Sequence, residues 1–406
     1  MRALPGIAWR NLWRNVRRTA LTLSAIAFGT FLAVLFTAMQ DRNFADMIDL
    51  AARLGGGHVQ VQHPEFLDTP TLTRTVTGTG AIRTAALADP HVQRAVDRIT
   101  GQLMVATATR NVGAMFVAYD PAAEDETTLS FLRGVDGTIT DTHGIVLGKR
   151  LAKNLGVSLG DKVVYTLMDK SGEIVSGLGR VSGLVDTGAA SVDVGLVLLP
   201  IGPLREVVGY APDEATSVGL YLDDVRHAGD VATALAPPGG ARALTWDQAM
   251  PDLSGFIAMK VGGARFMELV VMVLVAAGIF NTLFMSVMER RHEFGILAAI
   301  GCSRPRIFAL VMWESLWLAL VGMVAAALVT AGPYLYLTTY GIDMSGTIGS
   351  DMEVAGVGMP SVLRVGIFPE NLAAIVVFAV GATLLAGLWP AWQASRVPPV
   401  EAIRLG

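Results

Sequence analysis

The sequence predicts a membrane α-helical protein with four transmembrane helices and a large α+β domain between the first and the second. Three observations predict it. The chain of 406 residues has a mean hydropathy of +0.50 and only 16% charged residues, against about 25% in ordinary soluble domains. Four stretches are long and apolar enough to cross roughly 30 Å of hydrocarbon, which takes about 20 residues. The arginines gather in short segments beside those stretches, and a segment of about 225 residues holds no span.

Residues 1–18 come first. Ile7–Arg18 (IAWRNLWRNVRR) places Trp9, Leu12, Trp13 and Val16 on one helical face and Arg10, Arg14, Arg17 and Arg18 on the other. That pattern suits an elbow helix lying at the membrane interface, its arginines meeting anionic headgroups. The residues alone leave open whether this helix is only an anchor or also positions a partner. Residues 19–40 (TALTLSAIAFGTFLAVLFTAMQ) hold no charge and read as the first span. A cleaved signal peptide would have an apolar region of about 7–15 residues and a small-residue cleavage site; this stretch is longer, and no clear site follows it.

The second span occupies 266–288, with a charge-free core at Leu269–Met288; the third occupies 307–336 and the fourth 370–392. Glu314 is the one charge in Leu310–Leu335, and Pro390 lies near the end of Asn371–Trp392. Gly and Pro are tolerated in such helices. A charge at the centre of a membrane helix costs about 2.5–3.5 kcal/mol and less near an end. Glu314 therefore either snorkels to the interface or pairs with Arg306 or Arg10 as a link to the 289–306 loop.

Orientation follows from the basic residues. Residues 1–18 hold five arginines and no acid. Residues 289–306 hold Arg290, Arg291, Arg304 and Arg306 against Glu289 and Glu293, and residues 393–406 hold Arg396 and Arg404 against Glu401. All three are net positive in a chain of net charge −4, so by the positive-inside tendency they face the cytoplasm. Both termini are then cytoplasmic, and the 41–265 domain and the 337–369 loop lie outside.

Within 41–265, short apolar or alternating runs predict strands at His58–Gln62, Gln102–Thr109, Met115–Tyr119, Gly144–Leu147, Lys162–Leu167 and Val194–Leu199. Helical patterns intervene at Lys149–Leu155 and His227–Leu235. Gly160-Asp161 and Lys170-Ser171-Gly172 read as turns flanking a hairpin. A helix from Trp246 to Phe266 is expected to run straight into the second span, with Pro251 and Gly262-Gly263 as possible kinks.

The stretch Met288–Phe308 (MERRHEFGILAAIGCSRPRIF) predicts an amphipathic helix over Glu289–Ile300, with Phe294, Leu297 and Ile300 as its apolar stripe. Gly301 stops it, Ser303 caps the next helix, and Pro305 sits in that helix's first turn. Such a helix either packs under its own bundle or docks into a groove on a soluble partner.

Several functions are excluded or disfavoured. The single cysteine, Cys302, rules out an internal disulfide or a four-cysteine zinc site. The acidic balance argues against nucleic acid as a partner. A phosphate loop needs G-x-x-x-x-G-K-[ST]; GIVLGKR at 144–150 has the wrong spacing and an arginine in place of Ser or Thr. The chain supplies no nucleophile elbow or H-E-x-x-H, so no enzyme activity is expected of it. The six histidines, His58, His63, His91, His143, His227 and His292, look scattered, and no metal or other cofactor is expected.

The run ERRHEFGILAAIGCSRPRIF, the opening AWRNLWRNVRRT and the closing PAWQASRVPPVEAIR together resemble ABC transporter permeases of the FtsX/MacB/LolE type. GHVQVQHPEF and LGVSLGDKVV look like the external domain of the LolC/LolE lipoprotein-releasing branch. Cys302 departs from the small residue, such as Ala, expected there. The resemblance covers nearly the whole chain. It implies an external domain of the MacB-core type in the inner membrane's outside space. It also implies a cytoplasmic ATPase dimer, which binds the ATP, seated on a coupling helix built from Glu289, Arg290, Arg291, Glu293, Phe294, Gly295, Leu297, Ile300 and Gly301. A second permease copy or homologue, membrane lipids and a lipoprotein cargo complete the implied partners. Efflux of peptides or small molecules with an adaptor, and FtsX-like regulation of a cell-wall hydrolase, are the alternatives.

Overall fold

The computed structural model describes residues 4–137, 144–187, 190–237, 240–343, 353–354, 357–358 and 362–397. Arg2, His143 and the closing motif from Pro398 onward lie outside them. The chain divides into two units, one of Met1–Asn43, Met259–Asp343 and Val362–Gly406, the other of Phe44–Ala258 and Met344–Ser361.

The first unit is helical. Leu4–Leu12 leads through a tightened 3-10 turn at Trp13–Asn15 into a helix over Val16–Ala51. Leu12 and Val16 both keep right-handed helical dihedrals, so the boundary expected near residue 18 is a change of pitch. Pro251–Glu289, Arg304–Thr339 and Pro369–Ser395 follow, and these together make four helices apolar and long enough to span a membrane. Glycines let them approach closely, as is usual where helices pack in lipid. A Cβ on Gly322 would stand 2.7 Å from Ile26 Cγ2, and one on Gly387 would stand 2.3 Å from Ser315 Oγ. At one end of the bundle the buried Asp41 accepts the Phe368 N–H at 3.0 Å and the Asn371 amide at 2.8 Å. It thereby satisfies the free donors that open the last helix, where the macrodipole favours an acid.

One expectation fails here. The helix of the second span does not run unbroken from Trp246. A short turn of helix covers Trp246–Ala249, Met250 leaves helical geometry at φ −128° and ψ 70°, and the long helix starts at Pro251. Proline disfavours the α conformation in the residue before it and is well placed as the first residue of a helix.

The second unit is α+β. Its main sheet has ten strands among the described residues: β1 Val59–Gln62, β2 Val92–Ala106, β3 Asn111–Tyr119, β4 Val135–Gly137, β5 Gly144–Gly148, β6 Lys162–Met168, β7 Ile174–Val185, β8 Leu196–Pro200, β9 Ser217–Leu222 and β10 Arg242–Thr245. Six of them pair in a closed ring, β2-β3-β8-β5-β7-β6 and back to β2. Closure removes free sheet edges, and inward side chains such as Ile99, Phe116, Leu147, Val163 and Val197 fill the interior. The long β2 leaves the ring and joins β9, β1 and β10 in an antiparallel wing. Helices Thr79–Ala86 and Ala228–Ala234 contribute Ile82, Ala86, Ala228 and Val231 to that wing's core. The β6–β7 hairpin turns at Lys170-Ser171-Gly172, where Gly172 has φ +88°, a value glycine adopts freely.

Candidate functional site

The site lies at the end of the bundle remote from Asp41, where the arginine-rich segments converge. After Glu289 the chain leaves the span helix at Arg290, with φ −100° and ψ 11°, and starts a new nine-residue helix over Arg291–Ala299. Gly301, at φ +93°, ends that turn of chain. Ser303 occupies the position before the next helix and Pro305 its first turn, but the serine hydroxyl makes no capping bond; its carbonyl accepts the Arg306 N–H at 2.9 Å.

The expected apolar stripe splits. Phe294 is 0% exposed and packs with Ala8, Val287, Ile307, Leu310, Val311, Ala391 and Ala394, with Leu297 partly buried against them. Ile300 is 75% exposed and Ile296 42%. The physical reason is where the helix ends: Ala299 is its last residue and Ile300 already lies outside it at φ −81° and ψ 8°, and at 3.6 residues per turn position 300 stands about 120° round from Phe294. Phe294 and Leu297 hold the helix to its own bundle. Ile296, Ala299 and Ile300 face outward beside the exposed Arg291, His292 and Arg304, and Gly295 is buried.

Ion pairs lock this helix and the end of the second span to the N-terminal segment. Arg14 donates to Glu293 Oε1, and Arg18 Nη2 donates to Glu289 Oε1 at 2.6 Å. Arg290 Nε donates to Glu293 at 3.0 Å, and its Nη1 reaches Glu314 Oε1 at 3.0 Å and Oε2 at 3.2 Å. The Arg14 hydrogen bond, with Arg290 adding to it against partial desolvation, holds the Glu293 carboxyl below the usual carboxylate range. Glu314 is buried, and Asn11 Nδ2 gives it a second donor at 2.7 Å. Its partners are thus Arg290 and Asn11, and not the expected Arg306 or Arg10: Arg290 follows directly on the second span and reaches across to the third. Arg10 and Arg17 are exposed.

Trp9 meets Trp317 edge-on at 5.1 Å and Trp13 at 5.7 Å, and Trp317 Nε1 donates to the Pro5 carbonyl at 3.0 Å. Ala8 and Leu12, one turn apart, are the buried residues of the first helix. The N-terminal helix, the 291–299 helix and the third and fourth spans therefore form one interlocked end. Replacing Glu314 with Leu is expected to leave Arg290 Nη1 and the Asn11 amide without their acceptor, at a cost of about 1.5–3 kcal/mol. Gln at the same position, which can still accept from Arg290, should cost less than half of that. Thermal melting of the detergent-solubilised protein checks the order.

Residues 265–399 match the family of FtsX-like permease C-terminal domains. That stretch contains the second span, the 291–299 helix, Glu314 and the last two spans. The chain carries an FtsX-like permease domain. The permease is 26% identical over 335 residues to the lipoprotein-releasing system transmembrane protein LolC of Xylella fastidiosa, covering 79% of each chain. It is 24% identical to the macrolide export ATP-binding/permease protein MacB of Hyphomonas neptunium, across 98% of the permease and 60% of that protein. The crystal structure of the periplasmic region of MacB from Actinobacillus actinomycetemcomitans aligns with 48% of the permease and 92% of that chain, at 12% identity and a TM-score of 0.32.

The permease also departs from one expectation about its histidines. Two of them are not scattered: the rings of His91 and His227 lie against each other, 3.6 Å apart centroid to centroid, and the Nδ1 of each reaches the Asp223 carboxylate. Local sequence holds no sign of it, because 135 intervening residues of chain must fold before the two meet.

Proposed function

We propose that the protein is the membrane subunit of an ABC transporter that passes ATP-driven motion from a separate cytoplasmic ATPase dimer to its 44–258 unit on the other face of the inner membrane. The observation that carries this reading is the rigidly held 291–299 helix with an outward stripe of Ile296, Ala299 and Ile300. Phe294 packs that helix against four other helices, and the Arg14–Glu293 pair and Arg290 at its start tie it to the N-terminal segment and to Glu314, so a force applied to the stripe moves the bundle end as a body. Helices Val16–Ala51 and Pro251–Glu289 run unbroken past Asn43 and Ala258, where the two units divide. A hydrogen-bonded helix suits the transmission of such motion. By the LolC likeness, the work done is release of a lipoprotein from the membrane by a dimer of this chain or a pair of homologous permeases.

The MacB likeness, which spans nearly the whole chain, favours a second reading: export of a peptide or small molecule with an adaptor. One preparation tests both. The complex purified from its native membrane is expected to contain an ATPase subunit and a lipoprotein; an adaptor in place of the lipoprotein selects the second reading, and no ATPase at all defeats both. Topology is tested with Ala122→Cys in a Cys302→Ser background. An impermeant maleimide should label it in intact spheroplasts, and labelling only after lysis would overturn the orientation.

A further inference from the structure

We propose that His91, Asp223 and His227 form a binding site for a divalent transition-metal ion of the zinc class at one end of the β2–β9 pair. Nothing in the permease reading calls for this site, and it stands independently of that reading.

The backbone brings the three residues together. Val92 opens β2 and pairs with Leu222, the last residue of β9. The ladder continues one step further, where the Asp223 N–H donates to the His91 carbonyl at 3.1 Å. Asp89 Oδ1 accepts the His91 N–H at 2.9 Å and fixes the turn before it. After Asp223 the chain makes a 3-10 turn over Val225–His227. Asp224 caps that turn through the Arg226 N–H at 2.9 Å, which returns His227 over the carboxylate four residues earlier.

The side chains have a chelating arrangement. His91 Nδ1 lies 3.2 Å from Asp223 Oδ2, and His227 Nδ1 lies 3.3 Å from Asp223 Oδ1. One ligand atom from each residue falls within 4.8 Å of both others. Tetrahedral zinc with bonds of 2.0–2.2 Å sets its ligand atoms about 3.3–3.5 Å apart. Each imidazole nitrogen therefore already stands close to that spacing from a carboxylate oxygen, Oδ2 for His91 and Oδ1 for His227, and rotation of the carboxylate and of one imidazole brings one ligand atom from each residue around a single ion. As plain hydrogen bonds the same contacts are long, because N–H···O distances centre near 2.9–3.0 Å.

The donor set selects the metal. Two imidazoles and one carboxylate suit zinc, cobalt, nickel and copper, whereas calcium and magnesium take oxygen ligands. All three side chains are part-exposed, which leaves an entry path and room for water as fourth ligand. A bound ion would tie the start of β2, the end of β9 and the turn after it into one clasp, and it would stabilise the fold by mass action.

The test uses the full-length protein in detergent, free of any histidine tag and stripped with a chelator. Titration with Co2+ should develop the visible absorption of a tetrahedral site and saturate at one ion per chain, and Zn2+ should displace it. His91→Gln and His227→Gln should each weaken binding by at least about tenfold, the factor that loss of even an outer-sphere partner brings; His63→Gln should not. Saturation without the tetrahedral spectrum in the wild-type protein would overturn the proposal without reference to any variant. Equal Zn2+ affinity in wild type and His227→Gln would overturn it as well.

Discussion

Aspartate at both Ile296 and Ile300 is expected to strip the ATPase from the purified permease while the permease itself accumulates normally. Both side chains are exposed, so the fold should change by no more than about 0.5 kcal/mol. An apolar anchor at the centre of a docking surface contributes about 2 kcal/mol or more, roughly thirtyfold in Kd. Two carboxylates placed there also have to be desolvated for the partner to bind. Phe294→Asp is expected to behave in the opposite way. Loss of a buried phenylalanine costs about 3–5 kcal/mol before the buried charge is counted, a large part of a total stability of about 5–15 kcal/mol. That variant should fail to accumulate. Quantitative blots of permease and ATPase in the membrane and in the eluate separate the two results. If the Ile296/Ile300 variant retains its ATPase at wild-type stoichiometry, the outward stripe is not the docking surface.

The contrast between Phe294 and Ile300 shows where the sequence was legible. Four apolar stretches, the arginine clusters and the run ERRHEFGILAAIG are local signals, and the spans and the short helix after Glu289 follow from them. Which way that helix turns is not local. It depends on the dihedrals of one residue, Arg290, and on a cluster drawn from the N-terminal helix and both later spans. Glu314 is similar: a lone charge near a helix end left snorkelling and pairing both open, and its partners Asn11 and Arg290 are distant in sequence and chosen by packing. In the other unit, alternation marked β6 and the turn at Gly172, because each strand carries its own pattern. The closure of β2 on β6 joins Met104 to Thr166, and no pattern within either strand names the other. His91 and His227 met by the same non-local route.

Arg98 is the other residue that local pattern conceals, and its removal is expected to be among the most damaging single changes in the 44–258 unit. It sits in β2, where Val96, Asp97, Arg98 and Ile99 are buried in succession because the strand is covered on both faces. Its side chain is 0% exposed. Nη1 donates to Glu124 Oε1, and Nη2 lies 3.4 Å from both the Thr128 carbonyl and the Tyr221 hydroxyl. Glu124 also accepts the Asp120 N–H at 3.0 Å and the Thr128 hydroxyl at 3.2 Å, so the pair organises the loop after β3. Burial pushes the Tyr221 hydroxyl above its usual range, which keeps it neutral beside the carboxylate. Arg98→Met leaves Glu124 as an uncompensated charge in the interior, at a cost of about 3–5 kcal/mol. Adding Glu124→Leu removes that charge too, and well-packed apolar replacements of a buried ion pair are often neutral or stabilising. The double variant should therefore regain most of the loss, although each substitution alone is harmful. Pulse proteolysis of the full-length protein across a urea series measures the three midpoints. Additive losses in the double variant would show that packing around Arg98, and not the unpaired carboxylate, sets the cost.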